Sequence, residues 1–311
     1  MKKILASLVL FIAGSAMAAW PTKDITLVVP YPPGGPGDIV ARIYQKELEK
    51  VLKVNVVVKN MPGPAASAGI SHIMSTDNDD HTFLHVGDDF LSGQHINGTK
   101  LYNQFSAVHV LGRSPAAMLV GGPNASQEKL LADAKAGNTI NVATINFPNL
   151  FSLWTQSIVS NPPIKFNVVP YKGTADIIRD VMAGHVEYGV LTLATAGNED
   201  LVNSGKLTPV LHSGDARYKN IPSMRDLKMQ VIPISGYIAM FARKNTSPEA
   251  IAGMSAALRR VVEVEGRDSL NTVMRFQILN LDVKESEKFA NQELHTIDRL
   301  LENAKIQKNV R

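Results

Sequence analysis

Apolar positions along the chain follow two alternating rhythms. Short runs dense in Val, Ile and Leu read as buried strands at 25–30, 54–58, 82–86, 107–111, 117–121, 139–144, 165–169, 186–193, 207–212 and 236–243. Between them, apolar residues recur at helical spacing over 38–52, 64–76, 126–136, 149–160, 174–184, 248–264 and 284–305. In the first of these, Ile39, Val40, Ile43, Tyr44, Leu48, Val51 and Leu52 share one face. Strand and helix alternating in this way predict an α/β fold whose sheets are mostly parallel and flanked by helices. No period of solenoid length and no low-complexity tract interrupts the pattern.

Two breaks in the rhythm read as crossings between lobes. Gly121-Gly122-Pro123-Asn124 precedes Ser126, which has the chemistry of a helix N-cap. The stretch from Ser235-Gly236 to Asn245 precedes Thr246-Ser247-Pro248-Glu249, a cap followed by Pro in the first turn. The expected division is lobe one over 20–122 plus 240–311, with lobe two inserted over 123–239. Two lobes joined by two crossings form a hinge, with a ligand cleft between them.

The first eighteen residues have a different character. Lys2 and Lys3 precede the apolar stretch Ile4 to Ile12, and Ala16-Met17-Ala18 has the form of a cleavage site. Residues 1–18 therefore read as a cleavable signal peptide, with a mature protein exported to the periplasm from about Ala19. The chain of 311 residues contains no cysteine, which a core of this size does not need. With 32 Lys and Arg against 28 Asp and Glu, two of the lysines in the leader, the charge bias is too slight to argue for nucleic acid or an anionic membrane.

Candidate chemistry concentrates where strands end. Pro30-Tyr31-Pro32-Pro33-Gly34-Gly35-Pro36-Gly37-Asp38 joins the strand at 25–30 to the first helix. Such a loop directs backbone N–H groups and the positive end of a helix dipole at whatever lies in front of it, which suits an anion. Pro33, Gly34 and Gly35 are the candidate cradle, or else a plain strand-to-helix turn. Asp38 is expected as the helix N-cap, and Tyr31 either packs against a ligand or lines the strand end. The loop Pro64 to Gly69 offers Ala65, Ala66 and the Ser67 hydroxyl to the same spot. Asp88 and Asp89 close the strand at 82–86; there they would repel a simple dicarboxylate, and either accept hydrogen bonds from a ligand hydroxyl or ammonium or serve as a solvated turn. In the second half, Phe147 and Asn149 open one helix and Tyr171-Lys172-Gly173-Thr174 opens another, a second site for the far end of a ligand.

No metal is expected: His81-x-x-x-His85 with Asp88 reads as strand and lacks a third histidine at a useful spacing. No cofactor is expected either, since the Gly34-Gly35-Pro36-Gly37 loop lacks the dinucleotide fingerprint. Nucleophile-elbow, zincin and P-loop motifs do not occur, so an enzyme is not the expected class.

Taken in order, several segments resemble the tripartite tricarboxylate transporter solute-binding proteins, the TctC or Bug family. They are the 30–38 loop with Ala41-Arg42, Asn60-Met61-Pro62-Gly63, Val169-Pro170-Tyr171-Lys172-Gly173 with Asp180 and Gly184, and Gly205-Lys206-Leu207 with Arg217 and Ile221-Pro222. The chain differs from the family pattern at Pro64-Ala65-Ala66, where glycines are usual, and at Gly87-Asp88-Asp89, where Ser or Thr is usual. The resemblance implies a two-lobed, type II-like periplasmic binding fold. Such a monomer captures a small carboxylate and presents it to the large and small integral-membrane subunits of a permease. An extracytoplasmic sensor for a signalling partner would carry the same sequence features, and an enzyme acting on small acids is the more distant alternative.

Overall fold

A computed structural model describes residues 20–34, 36–114, 117–145, 149–158, 163–171, 174–192, 199–213, 221–274 and 277–304. The predicted leader at 1–18 lies outside them. In chain order the elements are β1 (Ile25–Val29), α1 (Pro36–Leu52), β2 (Val56–Asn60), α2 (Ser67–Ser75), β3 (Thr82–Gly87), α3 (Asp89–Ile96), β4 (Phe105–Ser114) and β5 (Ala117–Gly121). There follow α4 (Gln127–Lys135), β6 (Thr139–Ile145), α5 (Leu150–Ser157), β7 (Lys165–Tyr171), α6 (Thr174–Ala183), β8 (Tyr188–Thr192), α7 (Glu199–Asn203) and β9 (Thr208–His212). The chain ends with β10 (Gly236–Arg243), α8 (Pro248–Arg260), α9 (Arg267–Met274), β11 (Gln277–Leu281) and α10 (Val283–Asn303).

Two sheets form, ordered β11-β4-β10-β3-β1-β2 and β7-β6-β8-β5-β9. In the first, β1 pairs parallel with β2 and β3, while β10 runs antiparallel to both β3 and β4 and β11 antiparallel to β4. In the second, β6 pairs parallel with β7 and β8, and β5 runs against β8 and β9. Most strands of each sheet thus point one way, as the alternation predicts. The chain passes from the first sheet to the second between Ser114 and Ala117 and returns between His212 and Gly236. The sequence reading places these passages near 122 and 240.

Each sheet is covered by helices that bury an apolar stripe. In α1 the buried face carries Val40, Ala41, Tyr44 and Leu48, packed on Ile25, Leu27 and Phe83. In α10 it carries Ser286, Phe289, Ala290, Ile297, Leu300 and Leu301. Helix α5 packs on α10 and α3, so one apolar cluster runs from Val28 and Phe90 through Trp154 to Tyr188 and joins the two sheets on one side.

The helix expected over 248–264 ends at Arg260, where the backbone widens into one π-turn, Val261–Glu265, before Gly266. Helices α3, α7 and α9 and strand β11 were not anticipated. Every residue of α3 from Phe90 to Ile96 is buried, so it shows no polar face, and half-buried β11 bends at Asn280 (φ 49°).

Candidate functional site

The loops singled out by the sequence all follow the carboxyl ends of same-direction strands: β1, β2 and β3 in one sheet, β6 and β7 in the other. In open α/β sheets this edge is where ligands are taken, because strand-to-helix turns expose amides there.

The first loop is organised by a buried carboxylate. Asp38 is only 2% exposed, and all its acceptor capacity is turned inward. Its Oδ2 accepts the Gly34 amide at 2.8 Å and Arg42 Nε at 2.9 Å; its Oδ1 accepts Asn60 Nδ2 at 2.8 Å. Asn60 also donates to the Tyr31 carbonyl at 3.1 Å, tying β2 to the end of β1. Burial alone would raise the Asp38 pKa, but the bonds from Arg42, the Gly34 amide and Asn60, with the Arg42 charge, bring it below the usual carboxylate range. Asp38 is therefore not the N-cap: α1 already begins at Pro36, and Asp38 reaches back from its first turn. The Gly34 amide, expected to face an anion, is spent on this carboxylate. Gly34 itself has φ +85°, a left-handed conformation that glycine adopts without strain. Pro33 is exposed, and Gly35 lies outside the described residues.

Tyr31 bridges the first loop to the third. Its hydroxyl accepts the Gly87 amide at 2.6 Å and donates to Asp89 Oδ1. The ring lies so close to Gly37 that a Cβ there would stand 2.7 Å from Cδ2. Burial, then the charge of Asp89 and the hydrogen bond to it, hold the phenol proton well above its usual pKa. Burial also raises Asp89, against the opposing bonds from Tyr31 and from the amides of Asp89 and Phe90. The carboxyl of Asp88, which caps no helix, is pushed to about 8 by burial and then by the neighbouring Asp89 charge, with Glu293 a smaller contributor.

The second loop is rigid for a different reason. Ala65 (φ 49°) and Ala66 (φ 60°) both adopt left-handed backbone, the conformation glycine would supply more cheaply. Gln94 of α3 donates to the Ala65 carbonyl at 2.9 Å, and Gly93 leaves room for the Ala65 methyl. The N-cap of α2, Ala66, has no side chain to offer, and the first turn of that helix lies against the end of β1, where Gly69 faces Pro30. The starts of α4, α5, α8 and α10, by contrast, are capped by Ser126, Asn149, Ser247 and Asp282. No side chain caps the first turn of α2, and its leading amide, that of Ser67, donates to the Pro64 carbonyl.

In the second sheet, Asn149 forms a reciprocal capping box with Ser152, so its side-chain oxygen is committed to α5. Tyr171 donates its hydroxyl to Asp180 Oδ2 at 3.0 Å. Thr174 opens α6 and is half-buried, while Phe147, Lys172 and Gly173 lie outside the described residues.

Two residues near the site were not singled out from the sequence. Glu293 sits half-buried within the apolar stripe of α10, at the i+4 position from Phe289, and burial raises it to about 7 against the opposing charge of Arg113. A carboxylate interrupting such a stripe is the signal that would have found it. Tyr237, 3% exposed, has a buried hydroxyl with no hydrogen-bond partner, which nothing in an apolar strand pattern betrays.

Comparison with known proteins agrees with this arrangement. Residues 40–306 match the family described as tripartite tricarboxylate transporter family receptor. Protein BugT of Bordetella pertussis is 25% identical over 291 residues, covering 85% of each chain. A Rhodopseudomonas palustris protein solved with adipate superposes with a TM-score of 0.76 at 19% identity, covering 92% of this chain and 98% of that one. Another from the same organism, with bound malate, gives 0.69 at 19%, covering 92% and 100%. The two-lobed periplasmic binding fold is thereby established, and the chain belongs to the tripartite tricarboxylate transporter receptors, a family of periplasmic solute-binding proteins.

Proposed function

We propose that this receptor captures a small carboxylate between its lobes and delivers it, as a monomer, to the large and small integral subunits of a membrane permease. The observation that carries the reading is the uncapped start of α2, set beside a loop that Asp38, Arg42 and Asn60 hold rigid. Neutral amides there can grip a carboxylate without the desolvation cost of a buried ion pair. The adipate and malate held by two proteins of the same fold support the ligand class.

In this reading the direct contacts come from the amides of α2's first turn, the Ser67 hydroxyl and the loop around Gly35. Ala65, Ala66, Asp38 and Tyr31 act by positioning. The second lobe, with Asn149, Tyr171 and Thr174 at strand-end positions, takes the far end, and the ligand touches both lobes only in the closed state, so binding drives closure. Residues 1–18 serve as the export signal, and no chemistry is done on the ligand.

A thermal-shift and calorimetric screen of mono-, di- and tricarboxylates and amino acids tests this. A ligand at 100 to 1,000 times its Kd stabilises by about 3–4 kcal/mol, a readily measured rise in Tm. Saturable binding of at least one carboxylate, recovered unchanged by mass spectrometry, is expected. No shift with any carboxylate, or turnover of the bound acid, overturns the proposal.

A further inference from the structure

We propose that Asp88, Asp89, Glu293 and the hydroxyl of Tyr237 form a second subsite that takes an ammonium group, so that the ligand is an amino-bearing carboxylate. The inference rests on the receptor reading above and names its substrate class.

The four groups come from three elements that meet at the end of β3. Asp88 and Asp89 begin α3, Tyr237 lies on β10 beside β3, and Glu293 projects from α10, which packs on α3 and β4. The Tyr237 ring makes an edge contact with Phe289, 5.2 Å between centroids, one helical turn from Glu293. Its hydroxyl feels the charges of Glu293, Asp88 and Asp89 yet bonds to none of them. A buried hydroxyl without a partner costs about 1–3 kcal/mol unless something supplied from outside completes it.

The balance of charge identifies the occupant. Among the described residues none of the three carboxylates forms an ion pair; Arg113, whose charge acts on Glu293, gives its Nε to Gln277 at 3.2 Å. Asp89 has a partner in Tyr31, which leaves Asp88, Glu293 and the Tyr237 oxygen as three acceptors. An ammonium carries three donors and one positive charge. A second carboxylate would meet like charge here.

The subsite also fixes a sign. Unliganded, Asp88 and Glu293 are each partly protonated near neutrality; a bound ammonium holds both ionised and releases those protons. The other ionisable groups facing them are Tyr31 and Tyr237, both neutral in this range, with Asp89 and the permanently charged Arg113. Helix α5, packed on the far side of α3, carries no ionisable residue.

Matched pairs measured by calorimetry test the proposal on the purified protein: succinate with aspartate, glutarate with glutamate, butanoate with 4-aminobutanoate. At least one amino member is expected to bind on the order of tenfold or more tighter than its partner, with affinity rising from pH 6 to 8.5 and protons released. Asp88→Asn and Glu293→Gln should each weaken that ligand by on the order of tenfold to a hundredfold and leave the plain acid unchanged or tighter. Tyr237→Phe should weaken it several-fold, and thermal melts confirm that the variants fold. Plain acids that bind as well as or better than their amino partners, with Asp88→Asn and Glu293→Gln neutral, overturn the ammonium subsite and leave the carboxylate receptor standing. No binding by either class overturns both.

Discussion

Gly93 is the seat of Ala65. A Cβ at position 93 would stand 2.5 Å from the Ala65 methyl, far inside contact distance. Gly93→Ala should therefore destabilise the protein by about 1–3 kcal/mol, although alanine is ordinarily the better helix former. Ala65→Gly removes the methyl and relieves the left-handed backbone, so alone it should be neutral or stabilise by up to about 1 kcal/mol. In urea unfolding the double variant should recover most of the loss. Simple additivity of the two changes would show that helix α3 does not hold this loop.

Tyr31→Phe deletes the hydroxyl that joins Gly87 to Asp89. It leaves a half-buried amide and carboxylate short of a partner, at a cost of about 1–3 kcal/mol. Because the loop is loosened rather than removed, carboxylate affinity should fall mainly through faster release. Stopped-flow kinetics of ligand release would read this directly, and an unchanged off-rate would separate Tyr31 from the site.

Asp38→Asn keeps the shape but turns an acceptor into a donor. Its NH2 then meets either Asn60 Nδ2 or the Gly34 amide and Arg42 Nε, according to which oxygen it replaces, and the charge that pairs with Arg42 is lost. Stability should drop by about 1–3 kcal/mol and ligand affinity should fall with it. A variant that melts and binds like the parent would remove Asp38 from its organising role.

The stability that Asp88 and Glu293 contribute should fall as pH rises from about 4 to 8 in the absence of ligand. Asp88 and Glu293 are raised, to about 8 and about 7, so the folded state binds more protons than the unfolded chain. Their contribution is complete below the unfolded carboxyl pKa of about 4 and is lost as pH rises from there through about 7 and 8. Partial solvent access at both residues limits the effect to about 1–3 kcal/mol. The urea midpoint followed across this window should decline in the parent and much less in Asp88→Asn.

Two buried histidines act in the opposite sense below pH 6.5. His85 and His109 are fully buried and lowered to about 4 chiefly by burial, so they are neutral in the fold and charged in the unfolded chain. Their own share of stability, present above pH 6.5, is lost as pH falls towards 4, against the gain from Asp88 and Glu293 over the same range. His85 donates from Nε2 to the Gly37 carbonyl at 3.1 Å, a bond glutamine can imitate. His85→Gln should flatten the slope between pH 6.5 and 4, and an unaltered slope would place the proton uptake elsewhere.

Much of the architecture was legible because strands β1 to β10 and the amphipathic helices carry their periods plainly. What escaped were α3, which has no solvent face, the short helices α7 and α9, and the bent edge strand β11. At the candidate site, the sequence located the strand-end loops but misjudged how Gly34 and Asp38 spend their polar groups. A residue type announces a donor or an acceptor, whereas its partner depends on the approach of Asn60 and Arg42 from elsewhere in the fold. Glu293 lies some two hundred residues from Asp88, and only the packing of α10 on α3 brings them together.

Strands β3 and β4 follow each other in sequence, yet β10 lies between them. Val86 must wait for Ala239, and Val110 waits for the same residue from the other side. The order of assembly is thus constrained. The sheet built from β5 to β9 comes from one contiguous stretch and can consolidate by itself, while the other keeps an open slot until the last quarter of the chain arrives. Closing that slot carries a long loop-closure entropy, so the slow step of refolding should be the insertion of β10.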